Sequence, residues 1–363
     1  MKKVWVEALT PKQILLFSYL QQELPNTDFY LTSRDYDLNR ELAKELWRKV
    51  YIVGKHGGAT PYSKVRETIR REEKLLTIAR EEEPDLHLTF ASPDSTRVAF
   101  GLQLPVVSCN DTPHSTIVSR LVIPLSSDFI APQPVAPFFQ HYEEFTRIHV
   151  FRGVFEYAWV SRFKPSEDKL RDYSVEPFNY VFIRPGEQKA YYYRDAIAAT
   201  ILPLKIARHL LRRSSLKLLI YPRYKEQYIL YKRELKDTGG RVTFIEKPGV
   251  FLNLEYFARL VVTGGGTIAT ESALLGVPSL TTFPRELEVH TYLREKGFPV
   301  YRYTGLHIIE KLLSTKEDIY DREVFLQKAR KMFEDPVARI AEVIKMHLET
   351  DASSLYSRNK KFL

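Results

Sequence analysis

The chain has little of the two sulfur-containing amino acids. Its 363 residues include one cysteine, Cys109, and three methionines. A single cysteine excludes a disulfide framework and any metal site built from cysteines. Scarce sulfur, together with abundant lysine, arginine and glutamate, is the composition bias of heat-adapted proteins.

The sequence also lacks a long apolar run. No stretch of about 18 consecutive apolar residues is present, so we expect no transmembrane helix. The opening MKKVWVEALTPKQ has an apolar stretch that is too short and too charged for a signal peptide. These features predict a cytoplasmic protein with at most peripheral membrane contact.

Motifs for nucleic-acid recognition are absent as well. The formal net charge of +9 implies an acidic partner, such as a nucleotide diphosphate, an anionic lipid headgroup or a nucleic acid. The basic residues are spread through segments of helical pattern, such as Arg66–Arg80. No zinc-finger spacing, RNP-type aromatic motif or lysine-rich tail occurs. We therefore do not expect a nucleic-acid partner.

Short apolar runs alternate with helical patterns along most of the chain. Val4–Ala8 precedes one predicted helix, and Leu260–Val262 precedes another. Such alternation indicates parallel sheets covered by helices on both faces. The pattern loosens between Ser126 and Ser174, which indicates a domain boundary. The length and the 44% hydrophobic share suit two domains with real cores.

The predicted fold class is therefore α/β, with two doubly wound, Rossmann-like domains facing across a cleft. We expect residues 1–165 to form the first domain and residues 175–335 the second. A predicted helix in residues 336–363 can cross back to the first domain.

The segment VVTGGGTIATESALLGVPSL, residues 261–280, is the most informative stretch. An apolar run ends in three glycines and Thr267, and a helical run follows until Gly276 and Pro278 end it. Glycines let the backbone approach a ligand closely. The N–H groups at a helix start, with the positive end of the helix dipole, favour an anion such as a diphosphate. Glu271, one turn into the helix, is placed to accept hydrogen bonds from ribose hydroxyls.

The alternative is that the glycine turn is only a tight connection between strand and helix. The full string GGGT-x-x-T-E-x-x-x-x-G-V-P is more specific than three glycines, because it couples the turn, the helix start, the acid and the helix stop. It is neither the fingerprint G-x-G-x-x-G nor a Walker loop. The string resembles the nucleotide-sugar-binding segment of GT-B enzymes, which include glycosyltransferases and non-hydrolysing UDP-N-acetylglucosamine 2-epimerases.

The chain as a whole resembles a mainly archaeal family of proteins of unknown function, domain-of-unknown-function family 354. The matching strings are ALTPKQ, TSRDYD, VGKHGG, SPDSTRVAFGL, NDTPHS, RPGEQKAYYY, PRYKEQ and the glycine motif. This resemblance implies a GT-B-like architecture that takes a nucleotide sugar such as a UDP-sugar as substrate. It implies no cofactor and no bound metal.

Polar residues follow most of the predicted strands. Ligands collect beyond the carboxyl ends of the strands in doubly wound sheets, although each such loop also fits ordinary turn chemistry. The candidates in the first half are the loop residues Thr10, Lys12 and Gln13 and the possible bases His56, Asp94, Asp111 and His114. The donor-binding candidates in the second half are Arg184, Glu187, Arg223, Lys225, Gly264, Gly265, Gly266, Thr267, Thr270 and Glu271.

When this sequence is compared with the epimerases, it contains at most part of their set of acid and base residues. Asp94 stands where they have an acidic residue, Asn110-Asp111 stands where they have a glutamate, and Pro222-Arg223 stands where they have a proline and a histidine. Abstracting a carbon-bound proton needs positioned bases.

Glycosyl transfer needs less, namely one base for the acceptor hydroxyl and cationic or dipolar stabilisation of the leaving diphosphate. We therefore expect a glycosyltransferase acting on a glycan, a lipid-linked acceptor or a small molecule. Sugar-nucleotide 2-epimerisation and non-catalytic binding of a nucleotide sugar are the alternatives.

Overall fold

The computed structural model describes residues 1–58, 60–187, 196–246, 249, 251–314 and 321–349. The chain divides into two compact units. Unit 1 contains Met1–Ala158 and returns with Phe333–Leu363, and unit 2 contains Trp159–Met332.

Unit 1 is built on a parallel sheet that has seven strands within the described residues, in the order β3-β2-β1-β4-β5-β6-β7. The strands are β1 (Lys2–Glu7), β2 (Thr27–Asp35), β3 (Val50–Lys55), β4 (Leu86–Phe90), β5 (Val106–Cys109), β6 (Asp128–Pro132) and β7 (Arg147–Phe151). All residues of β4, β5 and β6 are buried. Such runs are typical of parallel strands that are covered on both faces.

Helices connect these strands. They are α1 (Pro11–Ser18), α2 (Leu20–Glu23), α3 (Asn39–Leu46), α4 (Pro61–Glu82), α5 (Pro93–Gly101) and α6 (Thr116–Val122), with short 3-10 helices at Ile123–Leu125 and Ala136–Tyr142. Local signals set the ends of α4: the Thr60 hydroxyl accepts from the Ser63 amide, Pro61 opens the helix, and Glu83 ends it in the left-handed conformation. The helix α7 (Tyr157–Val160) contains the division between the units.

Unit 2 has six parallel strands among its described residues, in the order β10-β9-β8-β11-β12-β13. They are β8 (Tyr180–Arg184), β9 (Lys217–Ile220), β10 (Val242–Phe244), β11 (Leu260–Thr263), β12 (Ser279–Thr281) and β13 (Val300–Arg302). The helices are α8 (Asp168–Arg171), α9 (Ala196–Arg213), α10 (Lys225–Glu234), α11 (Leu252–Tyr256), α12 (Gly266–Leu274), α13 (Glu288–Glu295), α14 (His307–Ser314) and α15 (Arg322–Met332). The last helix among the described residues, α16 (Pro336–Glu349), belongs to unit 1 and packs against α2 and β4.

Both sheets follow the doubly wound order, in which the first strand of a unit lies between its second and its fourth. The predicted α/β class with two doubly wound units is confirmed. The order reverses between β1 and β4 in unit 1 and between β8 and β11 in unit 2. These switch points are where ligands of such sheets bind, outside the carboxyl ends of the strands.

Two local features differ from the sequence prediction. The stretch between Ser126 and Ser174, where the pattern loosens, contains the two strands β6 and β7. The polar string Ser92-Pro93-Asp94-Ser95 is not a loop, because Pro93 opens α5 and Asp94 lies in its first turn. Among the described residues, no helix has the length and the apolar character needed to span a membrane.

Candidate functional site

The switch point of unit 2 brings together two of the predicted donor-binding elements. Thr263, the last residue of β11, lies opposite Arg184, the last residue of β8. The chain then enters the glycine turn, and the Gly264 amide donates to the Arg184 carbonyl at 2.9 Å. The glycine motif and Arg184 therefore lie side by side at the carboxyl end of the sheet.

The glycine turn leads directly into α12. Gly265 is the N-cap in an extended conformation, its amide donates to the Thr263 hydroxyl at 3.1 Å, and Gly266 is the first helical residue. A Cβ on Gly265 would lie 3.8 Å from the Thr263 hydroxyl oxygen, an ordinary contact, whereas a Cβ on Gly266 would lie 3.1 Å from Leu287. Among the described residues, Gly265 thus has room for a small side chain at a helix N-terminus, and such an N-terminus favours an anion.

A buried histidine supports the start of this helix. The His290 ring lies with Nε2 at 3.3 Å from the Gly266 carbonyl, so this nitrogen carries the proton that is donated. Burial lowers the pKa of His290 to about 4, which keeps the ring neutral.

Arg184 is held in place by backbone groups. Its side chain is buried, donates from Nη1 to the carbonyls of Tyr221 and Pro222 at 3.1 and 3.2 Å, and lies 3.7 Å above the centre of the Tyr221 ring. These contacts fix a positive charge beside the glycine turn.

The neighbouring predicted residues form a cluster of their own. Glu187 accepts from the Tyr224 hydroxyl, and Arg223 Nη1 lies 3.5 Å from a Glu187 oxygen. Lys225 is exposed at the start of α10. Arg223 is thus paired with an acid, whereas Arg184 is joined to the glycine turn through its backbone carbonyl. Residues 188–195, which complete the string RPGEQKAYYY, lie outside the described residues.

Glu271 lies on the second turn of α12 and is almost buried. The Trp159 indole Nε1 donates to its Oε1 at 2.7 Å. On α11, Glu255 accepts from the Ser272 hydroxyl at 2.9 Å. Burial, followed by the charge of Glu271, raises the pKa of Glu255 well above its usual range. Thr270 and Thr267 share this helix, with Thr270 buried and Thr267 half-buried.

In unit 1 the structure joins two predicted residues, Lys12 and Asp111. Lys12, in the first turn of α1, places Nζ 2.6 Å from an Asp111 oxygen, 3.5 Å from a Glu156 oxygen and 5.1 Å from the centre of the Phe90 ring. Burial alone would lower the pKa of Lys12, but the charges of Asp111 and Glu156 outweigh it and raise the pKa. Burial raises the pKa of Glu156, and Lys12 opposes that shift. We call these three ionisable residues the Lys12 cluster.

Asp94 lies in a different network. Arg71 donates from Nε to Asp94 Oδ2 at 2.8 Å, pairs with Glu7 through Nη2 and also donates to the Val53 carbonyl. The Thr68 hydroxyl donates to the other Asp94 oxygen at 3.1 Å. Both carboxylate oxygens of Asp94 therefore accept hydrogen bonds from side chains of the protein itself. We call Glu7, Arg71 and Asp94 the Arg71 cluster.

The remaining predicted residues of unit 1 have separate surroundings. Gln13 accepts from the Leu9 amide at 2.7 Å, and Thr10 is the N-cap of α1, so both shape the β1–α1 loop. His56 is exposed, and its ring lies 5.4 Å from that of Tyr36. His114 is half-buried in the loop between β5 and α6, three residues beyond Asp111.

Sequence reasoning missed several partners of these residues. They are Glu7, Arg71, Glu156, Trp159 and Glu255. None lies in a glycine motif or a polar strand-end string, and each meets its partner across a long stretch of chain. Glu7 carries the only local signal, since an acidic residue ending an apolar strand is unusual unless its charge is compensated.

Solved structures with a similar fold define the class. The UDP-GlcNAc 2-epimerase of Methanocaldococcus jannaschii, in complex with UDP-GlcNAc and UDP, is similar with a TM-score of 0.69 and 17% identity, over 95% of this chain and 100% of that one. The glycotransferase of kitacinnamycin is similar with a TM-score of 0.62 and 11% identity, over 96% of this chain and 99% of that one. The chain thus has the two-unit α/β fold of the GT-B type, as the glycine motif predicted.

The chain belongs to the family described as protein of unknown function (DUF354), which matches residues 3–348. A relative is the uncharacterized protein MJ0665 of Methanocaldococcus jannaschii, which is 29% identical over 331 residues, 87% of this chain and 91% of the relative. The family resemblance seen in the sequence strings is confirmed.

Proposed function

We propose that the protein is a glycosyltransferase that takes a nucleotide-activated sugar as donor and binds it at the switch point of unit 2. The observation that carries the proposal is the hydrogen bond between the Gly264 amide and the Arg184 carbonyl. It places the Arg184 cation beside a glycine turn that leads into the N-terminus of α12. Backbone N–H groups and one arginine are the groups that stabilise a leaving diphosphate.

Glu271 has the role of ribose acceptor in this proposal. It lies on α12, the same helix that would bind the diphosphate at its start. The similar epimerase is described in complex with UDP-GlcNAc and UDP, which supports a uridine nucleotide as the first ligand to test. The acceptor is a glycan, a lipid-linked sugar or a small molecule.

His114 is the base that we favour for the acceptor hydroxyl. Asp94 and Asp111 are engaged by Arg71 and Lys12 through charged hydrogen bonds. Both carboxylates are thus held by cations of the protein itself. His114 lies in the polar β5–α6 loop at the carboxyl end of a central strand. An imidazole suits proton transfer near neutral pH.

The nucleotide sugar is a substrate in this proposal, and the reaction uses no resident cofactor or metal. Arg184 and the start of α12 supply the positive charge that a metal ion supplies in other enzymes. Turnover that persists in excess chelator supports this part, and turnover lost on chelation and restored by a divalent ion contradicts it.

A second candidate, epimerisation of the sugar nucleotide, is favoured by the Lys12 cluster. It sets a buried carboxyl group with a raised pKa beside a charged amine and a second carboxylate. Groups whose environments push their pKa values apart are suited to acid/base chemistry.

Incubation with a panel of nucleotide sugars in deuterated water separates these candidates. A transferase hydrolyses the donor slowly or waits for an acceptor, and the sugar ring protons stay in place. An epimerase converts the sugar without an acceptor and incorporates deuterium at the carbon it inverts. A protein that binds the nucleotide sugar but does neither has lost the chemistry, which would overturn both candidates.

A further inference from the structure

Helix α4 of unit 1 carries a row of apolar side chains on its exposed side. Its 22 residues include four large apolar side chains that are between 48% and 75% exposed, namely Tyr62, Val65, Ile69 and Leu76. Their spacing of i, i+3, i+7 and i+14 places them along one face of the helix. Single exposed apolar residues are common on protein surfaces, whereas a row of them on one face marks a surface that binds another apolar surface.

Further exposed apolar side chains lie on the two neighbouring helices. They are Phe100 on α5 and Ile117 and Leu121 on α6, and α5 packs against both α4 and α6. The connections that follow β3, β4 and β5 all run in the same direction across the sheet, so their helices cover the same face of it. A face about 33 Å long and two to three helices wide, with helices about 10 Å apart, has roughly the 800 Å² that each partner of a stable dimer buries.

The charged residues beside the row fit a second copy of the same helix. Arg66 and Glu73 are both exposed and are seven residues apart, so they lie on the same side of the row. When two α4 helices run antiparallel about a two-fold axis close to Ile69, Arg66 of each copy lies opposite Glu73 of the other. A parallel pair would place like charges opposite each other.

We propose that the exposed face of α4, α5 and α6 is the interface of a homodimer, in which the two α4 helices run antiparallel about a two-fold axis close to Ile69. The apolar rows bury each other, and two pairs of Arg66 with Glu73 set the orientation of the helices. An anionic membrane surface fits this face less well, because it repels the exposed Glu73 beside the row. The interface lies wholly in unit 1, so the proposal goes beyond the donor site of unit 2.

The mass of the full chain in solution, measured by sedimentation equilibrium, is the first test. We expect the wild-type protein to be a dimer at micromolar concentration. Ile69→Glu should raise the dissociation constant of the dimer about thirtyfold or more, because it buries a carboxylate of each copy at the centre of the interface. Ile69 is 61% exposed in one chain, so the variant should stay folded, which circular dichroism checks.

Ile229→Glu is the matched control for this substitution. Ile229 is 55% exposed and lies on α10 of unit 2, outside the proposed interface. This variant should remain a dimer with the wild-type dissociation constant. A wild-type protein that is a monomer at every concentration, or equal dissociation in the two variants, would overturn the proposal.

Reversal of the flanking charges tests the antiparallel arrangement. Arg66→Glu and Glu73→Arg should each weaken the dimer about two- to tenfold, because each places like charges opposite one another. The protein with both substitutions should recover the wild-type dissociation constant, because the pairs form again with their charges exchanged. A double variant that is weaker than either single variant would contradict this arrangement.

Cross-linking through a cysteine at Ile69 tests the position of the axis. The natural Cys109 is buried, so a thiol introduced on the surface reacts alone. A short bismaleimide should link Ile69→Cys into covalent dimers and leave Ile229→Cys as single chains on a denaturing gel. Equal cross-linking of both variants would overturn the proposal. So would a monomeric wild-type protein that binds phosphatidylglycerol vesicles and loses this binding in Ile69→Glu, because the face would then bind a membrane.

Discussion

The two units share a strand order but differ in what lies at the carboxyl ends of their strands. Unit 1 fills this edge with charged side chains that bind one another, in the Arg71 cluster and the Lys12 cluster. Unit 2 presents a glycine turn, a helix start and one arginine held by backbone carbonyls. In unit 1 the charged side chains are paired with one another. In unit 2 the glycine backbone has no side chains at the turn, so a ligand can approach it closely.

The charged side chains of unit 1 are paired with one another, so we expect the largest loss of turnover from a substitution at His114. His114→Asn should lower turnover by roughly 10²–10⁴-fold, the usual range for a general base. Donor affinity should change little, because the donor site lies in unit 2. Steady-state kinetics on the first acceptor found would show this. His141→Asn, at an exposed histidine of the same unit, is the control. Full turnover in the His114→Asn variant would show that His114 is not the general base.

The Arg71 cluster should be the most costly part of unit 1 to break. Arg71→Leu leaves the buried Glu7 and Asp94 without their cation, and we expect a loss of about 3–5 kcal/mol in the free energy of unfolding. Arg70→Leu is the matched control, because Arg70 is 60% exposed and its pair with Glu67 is worth at most about 1 kcal/mol. Chemical denaturation of both variants measures the difference. Equal losses would show that the cluster is not a stabilising network.

Two glycines of the same motif should respond to different extents. Gly276 has φ +77° and a Cβ there would lie 2.5 Å from the Phe325 ring, so Gly276→Ala should destabilise the protein by at least about 1–2 kcal/mol. Gly265 has φ −118° and a Cβ there would lie 3.8 Å from the Thr263 hydroxyl oxygen, so Gly265→Ala should cost about 1 kcal/mol or less, the effect of an alanine at an N-cap. The melting temperatures of the two variants measure the difference. A loss for Gly265→Ala as large as that for Gly276→Ala would mean that Gly265 serves the fold rather than a ligand.

The opposite edge of unit 1 should give a pH-dependent effect, because Glu82 joins Lys3, Lys49 and Tyr51 there. Burial alone would raise the pKa of Glu82, but these hydrogen bonds overcome it and lower the pKa to about 2. A carboxyl group with a depressed pKa stabilises the fold above its unfolded pKa and loses that contribution as the pH falls through the folded value. Glu82→Gln should therefore cost about 1–3 kcal/mol at neutral pH and progressively less between pH 4.5 and pH 2. A cost that stays constant over this range would contradict the assignment.

How much of this structure the sequence predicts depends on how far apart the interacting residues lie along the chain. Alternating apolar and helical segments predict both sheets, because each strand and helix is a local pattern. The glycine motif predicts the turn and the start of α12 for the same reason. Strands β6 and β7 were missed because the intervening segment Gln133–Thr146 contains a 3-10 helix and turns instead of a long amphipathic helix.

The pairing of charges could not be predicted from local patterns. Arg71 lies 64 residues from Glu7, and Trp159 lies 112 residues from Glu271. Only the strand order brings such residues together, and one sequence does not specify which charged residue of a long helix turns inward. Arg71 differs from its neighbour Arg70 by facing the sheet, a difference that helical periodicity suggests only after the buried face of α4 is known.

The central claim is that the glycine turn of unit 2 binds the diphosphate of a nucleotide. Titration calorimetry of UDP against the wild-type protein and Gly265→Val tests it most directly, with the melting temperature of both proteins as a control. We predict that the wild-type protein binds UDP, and that Gly265→Val melts at nearly the same temperature but no longer binds, because its side chain fills the space meant for the diphosphate. Unchanged affinity for UDP in folded Gly265→Val would contradict the claim.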